Sequence, residues 1–265
     1  MKKHSVLKCA LKGAVALGAG YAVFSSVAKK KQALEAIDED LHTDVYPDAG
    51  KGSLFRDKTF YEAKLKPAAD KALSLAGLVA LSPLYGLISA AIYIDDPGSV
   101  IFTQKRVGAD KKYFHLHKFR SMKMSTPHDV PTHMLEDPES YITRVGKFLR
   151  KSSLDELPQV WDIFVGNMSI IGPRPALWNQ SDLVAERDKY GANYVKPGLT
   201  GLAQISGRDE LEIETKAKFD GDYVQALGEG NISGIAEDVK CFVGTIASVI
   251  KHEGVVEGGT GRKED

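Results

Sequence analysis

Cysteine is nearly absent: Cys9 and Cys241 are the only two in 265 residues, and they stand at opposite ends of the chain. That excludes a disulfide framework and a cysteine zinc site, and a reducing compartment is the simpler assumption. Net charge is also missing, with 35 basic against 35 acidic side chains. This argues against nucleic acid as a partner, although charge can still be segregated locally. Internal repeats and low-complexity tracts are lacking. With 43% hydrophobic and 26% charged residues, the chain is neither disordered nor a many-span membrane protein. Its length suits one compact domain with extensions.

Against that average background stands one long apolar run. Ala72 to Ile94 reads ALSLAGLVALSPLYGLISAAIYI, 23 residues without a charge. As a straight helix it covers roughly 34 Å, enough to cross a bilayer. A buried helix of a soluble core is the alternative, but such helices are usually shorter. Ser82-Pro83 falls near the middle. Pro83 removes a donor and crowds the carbonyl four residues earlier, so a bend is expected there. The Ser82 hydroxyl is placed to satisfy part of the freed backbone. Both flanks are positive: Lys64, Lys66 and Lys71 before the run, Lys105, Arg106, Lys111 and Lys112 after it. Positive flanks prefer the cytoplasm, so a re-entrant hairpin that enters and leaves on one face is expected over a straight crossing.

The amino-terminal apolar stretch, Gly13 to Ala28 between Lys12 and Lys29-Lys30-Lys31, has sixteen residues and falls short of a comfortable span. It reads as an interfacial or weakly anchoring helix, since no convincing cleavage site follows it. Residues 32–60 read as a polar linker with some helix.

After Asp95-Asp96-Pro97-Gly98, a turn signal, Val100–Thr103 and Tyr113–Phe119 have the pattern of two short strands joined near Gly108-Ala109-Asp110. Seven basic residues and one acid lie between Lys105 and Lys123. A solvated face, attraction to anionic lipid and phosphate binding all remain open for them, with Lys118 and Arg120 best placed for phosphate. His115 and His117 share a strand face, but no fitting third ligand is near, and metal binding is the weaker reading.

From Ile142 to Pro175 the chain reads ITRVGKFLRKSSLDELPQVWDIFVGNMSIIGPRP. Ile142, Val145, Phe148 and Leu149 form a helical stripe, and a second helix carries Val160, Trp161 and Phe164. Asp155 and Glu156 lie between the two. Ser153 to Glu156 fits a capping box, but Pro158 fits a first-turn position better, which puts the acids in a tight turn before the regular helix. Capping and catalysis both remain open on pattern alone. The company of the acids favours catalysis: Arg150 precedes them, and Arg174 follows, held between two prolines in Gly172-Pro173-Arg174-Pro175. Lys196-Pro197-Gly198-Leu199-Thr200-Gly201 and Ser206-Gly207-Arg208 supply a further constrained loop region with a cation. Immobilised arginines around an acid pair suggest a nucleophile or metal ligand acting on phosphate esters.

The ordered motifs KFRSM (Lys118–Met122), LRKSSLDELPQ (Leu149–Gln159), GNMSIIGPRP (Gly166–Pro175) and KPGLTGLAQISGR (Lys196–Arg208) resemble those of the bacterial sugar transferases. These are the monotopic polyprenyl-phosphate phosphoglycosyl transferases. The resemblance runs from about Lys66 to Val224 and includes the Ser82-Pro83 break.

It implies transfer of a sugar 1-phosphate from a UDP-sugar to a polyprenyl phosphate such as undecaprenyl phosphate, with release of UMP. This is the first membrane step of exopolysaccharide, capsule, O-antigen or glycoprotein glycan assembly. Asp155 maps onto the family's nucleophile, which forms a covalent phosphosugar intermediate, and Glu156 onto its assisting neighbour. Magnesium (Mg2+) is implied against Asp155 and the diphosphate. Arg150 and Arg174, with Arg208 and Lys118 or Arg120, are the expected phosphate contacts. The implied location is the bacterial inner membrane, with the catalytic domain on the cytoplasmic face. The expected partners are membrane lipid, downstream glycosyltransferases and a second copy of the chain.

The fold expected is α+β: a re-entrant membrane helix hairpin with a small antiparallel sheet and surrounding amphipathic helices. Residues 1–62 form an extension, 63–228 the catalytic domain with its membrane helix over 72–94, and 229–265 an amphipathic helix with a polar tail. In that helix Ile235, Val239, Phe242, Val243, Ile246 and Ile250 lie against membrane or core. One departure from the family pattern is Asp222, where an aromatic is more usual in what is expected to be a substrate loop. A membrane-associated phosphate-ester hydrolase and a catalytically silent scaffold are the competing readings.

Overall fold

The computed structural model describes residues 56–126, 137–207 and 211–251. The amino-terminal apolar stretch, most of the linker and Arg208 lie outside them. A π-helical turn, Tyr61–Leu65, leads into a 30-residue helix, α1 (Lys66–Asp95). One face of this helix meets the rest of the protein along its whole length, through Glu62, Lys66, Asp70, Ser74, Ile88 and Ile92. The polarity of the first half is inverted relative to a soluble helix. Asp70 accepts from Ser169 Oγ at 2.7 Å and from the Ile170 amide at 3.1 Å, while Leu73, Leu75 and Val79 point outward and are exposed.

Helix α1 runs without interruption through Pro83, and the expected re-entrant hairpin is not confirmed. Pro83 lies inside α1, and both ends of the helix contact the body. The reason is local. Proline at 83 deprives the Val79 carbonyl of its donor, and Ser82 Oγ supplies one at 2.9 Å. Tyr85 Oη then donates to the Leu157 carbonyl at 2.6 Å, tying the second half of α1 to the body two residues beyond the proline.

Strands β1 (Ile101–Val107) and β2 (Tyr113–Phe119) pair antiparallel, with Ile101 opposite Phe119 and Val107 opposite Tyr113. The connecting turn falls at Ala109–Lys111, as the sequence suggests, and β1 is longer than expected. Phe119 is buried against Ile88, Ile92 and Leu149, where Leu149 belongs to α2 (Arg144–Lys151). Thr143 caps α2, its Oγ1 accepting from the Gly146 amide at 2.9 Å. The expected apolar stripe of α2 is only half realised: Leu149 is buried, whereas Phe148 is exposed.

After a 3₁₀ turn (Leu154–Glu156) come α3 (Gln159–Val165) and β3 (Ser169–Ile171), followed by α4 (Ser181–Asp188). Strand β4 (Gly198–Thr200) pairs with β3 in parallel, a second small sheet that hydrophobic patterning did not suggest. The approach is so close that a Cβ on Gly198 would lie 2.1 Å from the Gly172 amide nitrogen, so glycine is required there. A short α5 (Leu202–Ile205) leads to α6 (Ile213–Glu229) and α7 (Asn231–Lys251). Ile171, Val195, Leu202, Tyr223 and Leu227 form the core between β3 and α6. Asp222 lies on helix α6, exposed, and not in a substrate loop. The carboxy-terminal amphipathic helix is present as α7, but Val239, Phe242, Val243 and Ile246 are exposed and do not pack into the core. The architecture is α+β.

Candidate active site

The acidic pair is presented by the 3₁₀ turn between α2 and α3. Ser153 enters it with φ of 55°, a left-handed conformation unusual for a residue with a side chain. Its hydroxyl caps nothing, and α3 begins only after Pro158. The capping reading of Ser153 and Glu156 therefore fails, and the tight turn before the helix is what forms.

The two carboxylates have opposite surroundings. Glu156 Oε1 accepts from Lys118 Nζ at 2.9 Å and from an Arg174 terminal nitrogen at 2.8 Å. Burial opposes its ionisation, but Arg174 and Lys118 outweigh that, and the carboxyl is held well below the usual carboxylate range. Asp155 is 9% exposed and makes no hydrogen bond among the described residues; its nearest cation is Lys118, 3.9 Å away. Burial pushes its carboxyl up. Lys118, Arg150 and Arg174 counter that shift, while the charge on Glu156 adds to it. A buried carboxylate facing cations without bonding to them is available as a nucleophile or ligand.

Long-range packing sets the positions of the cations. A Cβ on Gly146 would sit 1.9 Å from the Ser121 carbonyl oxygen, so glycine lets α2 press onto the chain after β2. One turn on, Arg150 Nε donates to Ser121 Oγ at 2.9 Å. Arg174 projects from the segment after β3, whose neighbour Pro173 accepts from the Gly198 amide at 2.8 Å. Lys118 comes from β2. Arg150 and Arg174 line a cavity of ≈ 370 Å³ together with Ser153, Asp155 and Glu156, and Lys118 stands behind it, bonded to Glu156. Arg120 is not among its lining residues. It is buried and bonds both the Asp96 carboxylate and the Asp96 carbonyl, locking the turn after α1, so its expected phosphate role is corrected to an anchoring one.

Arg106 on β1 lines the same cavity, though the motifs did not single it out. It donates to the Pro175 carbonyl at 2.9 Å. Burial and the neighbouring Arg174 push its guanidinium down to about 9, still a cation at neutral pH. The only prior signal was its place in the basic cluster. His117 is turned away from any metal role, its Nδ1 lying 2.7 Å from Asp162 Oδ1 in the core. Among the described residues no three His, Cys, Asp or Glu side chains gather as a metal cage. A hard cation would have to be held by Asp155 together with substrate oxygens, a donor set that suits magnesium, which rarely takes an all-protein cage.

Comparison with known proteins agrees with this geometry. The family described as bacterial sugar transferase matches residues 61–252, a span that takes in α7. The chain is 39% identical over 182 residues to UDP-glucose:undecaprenyl-phosphate glucose-1-phosphate transferase of Xanthomonas campestris pv. campestris (66% of this chain, 37% of that protein). It is 41% identical over 175 residues to the protein of the same name from Escherichia coli (strain K12) (61% and 36%). It is 36% identical over 176 residues to exopolysaccharide production protein ExoY of Rhizobium meliloti (strain 1021) (60% and 76%). The matched region is little more than a third of the first two relatives. Carrying the acidic turn, its cations and the long apolar helix within the matched span, the chain belongs to the bacterial sugar transferase family.

Proposed function

We propose that the protein transfers a sugar 1-phosphate from a UDP-sugar to undecaprenyl phosphate or a similar polyprenyl phosphate, releasing UMP. The observation that carries this reading is Asp155, buried in a cationic cavity yet without a hydrogen bond among the described residues, beside a Glu156 whose Oε1 is bonded twice. An Asp155 carboxylate oxygen attacks the phosphorus that bears the sugar. The bond from that phosphorus to the bridging oxygen breaks, and UMP leaves with the electron pair. An oxygen of the acceptor phosphate then attacks the same phosphorus, releasing Asp155 as carboxylate and forming the polyprenyl diphosphate sugar. Two steps mean that two bulky substrates need not share the site.

Arg150, Arg174 and Lys118 offset the repulsion between carboxylate and diphosphate, and Glu156 holds Lys118 and Arg174 in place. Asp155, with oxygens of the substrate, would hold magnesium, which would supply further positive charge against the diphosphate.

The outward apolar faces of α1 and α7, among them Leu75, Val79, Leu87, Val239 and Phe242, are read as bilayer contacts. By length and composition Tyr61–Asp95 is sufficient to cross a membrane. Because both ends of α1 touch the same body, the helix is read as monotopic, dipping into the cytoplasmic leaflet and holding the cavity at headgroup height.

The test is UMP release by nanodisc-embedded protein given undecaprenyl phosphate, magnesium and single UDP-sugars. Lipid-dependent turnover with one sugar, and sugar label trapped on the protein when lipid is withheld, are expected. Continuous lipid-independent release would instead mark a hydrolase, and silence of folded protein across all donors would overturn the reading.

A further inference from the structure

The cavity has a second wall that the phosphate chemistry does not use. Gln204, on α5, lines it and is only 7% exposed, yet neither Oε1 nor Nε2 has a hydrogen-bond partner among the described residues. A buried carboxamide with both atoms unpaired is costly unless something else completes it. The same lining includes the small or apolar Ala176, Leu183 and Ala203 together with the cations Arg187 and Lys216. Helix α5, which carries Gln204, follows directly on β4, a different element from the acidic turn, and the end of β4 is held by the Gly172 amide donating to the Thr200 carbonyl at 2.8 Å.

We infer that Gln204 is a specificity-determining residue that reads the uracil of the donor nucleotide, an inference that rests on the UDP-sugar reading above. The chemistry fits on two counts. A carboxamide presents one acceptor and one donor side by side, and the imide edge of uracil presents the matching N3–H donor and carbonyl acceptor. Phosphoryl transfer also runs in line, with attacking and leaving oxygens on opposite sides of phosphorus. The leaving UMP is therefore directed away from Asp155, towards a wall other than the acidic turn. Ala203, next to Gln204 on α5 and also lining the cavity, offers small apolar surface to the face of a flat base.

The test uses the full chain in nanodiscs with magnesium and reads binding by calorimetry. UDP and UDP methylated at N3, which removes the imide donor, are compared on wild type, Gln204→Ala and Gln204→Glu. Wild type is expected to bind UDP at least about tenfold more tightly than the methylated form. Gln204→Ala is expected to weaken UDP about tenfold and to lose the discrimination. Gln204→Glu, which keeps an acceptor and loses the donor, should weaken UDP as well. Equal binding of the two nucleotides by wild type overturns the inference without needing any variant to fold. So does a Gln204→Ala protein that binds UDP normally and weakens only for the sugar-bearing donor, because the amide would then contact the sugar. Selective UDP binding without sugar transfer leaves this inference standing and removes the transferase reading. Transfer that tolerates N3 methylation removes the inference alone, and absence of any UDP binding removes both.

Discussion

Two charged clusters lie on opposite ends of the chain's long-range contacts, and they are finished differently. Near the start of α1, Asp238 from α7 accepts from Lys66 and Tyr61 at 2.5 Å each and from Tyr223 at 2.8 Å, so both carboxylate oxygens are used. Asp70 on the same helix is likewise bonded through both oxygens. In the acidic turn, Glu156 is hydrogen-bonded twice, whereas Asp155 has no hydrogen bond among the described residues and only the longer ion pair to Lys118 at 3.9 Å. Where Asp238 and Asp70 serve architecture, both oxygens of each carboxylate accept a bond, because an unmet buried group costs stability. Where charge serves chemistry, one carboxylate is left open and the cost is spread over neighbouring cations.

The sharpest way to break that contrast is Asp155→Asn. Turnover should fall by roughly six orders of magnitude, as when a serine protease loses its nucleophile. Thermal stability should be kept, since no bond in the described structure is lost. A variant that melts early would place Asp155 with the architectural cluster. The reciprocal change, Asp238→Ala, strands Lys66 in a buried position and should cost about 3 kcal/mol in a denaturant titration, with normal turnover per folded molecule.

Arg174→Lys keeps the charge but loses the planar fork, and a roughly tenfold fall in kcat with intact folding is expected. Acidity gives a subtler reading. Burial raises the Asp155 carboxyl above its usual 3.8, and the carboxylate form, which attacks, exists only above that raised value. The rate should therefore fall on the acid side at a higher pH than for an ordinary aspartate. Lys118→Met, by removing a cation that lowers it, should move that limb further up in a kcat/KM profile. The smallest effect belongs to α1: Ser82→Ala leaves the Val79 carbonyl without its substitute donor and should cost about 1 kcal/mol in helix stability.

Much of the acidic turn could be read in advance because its information is local. Pro158 limits where α3 starts, and the prolines around Arg174 restrict its backbone, so adjacency in sequence carried over to geometry. The Ser82 hydroxyl anticipated its carbonyl partner for the same reason. Arg120 was misread because Lys118 and Arg120 are equivalent two residues apart on a strand. Only Asp96, 24 residues earlier, distinguishes them. The hairpin was expected from the charge flanks and from Ser82-Pro83, and helix persists through the proline because Ser82 supplies the Val79 carbonyl with a donor.

Residue type and spacing were enough for the antiparallel pair and the long apolar helix, and they marked the acids and most of the cations as candidates. These follow from periodicity and backbone restriction within a few residues. Tertiary structure decided which partner each charge takes: Glu156 against Lys118 and Arg174, Lys66 against Asp238 across 172 positions, and Gln204 brought to the cavity wall through the parallel pairing of β3 and β4. Burial turns a list of charges into specific pairs, because in low dielectric an unpaired group is penalised and contacts distant in sequence select which ones remain open.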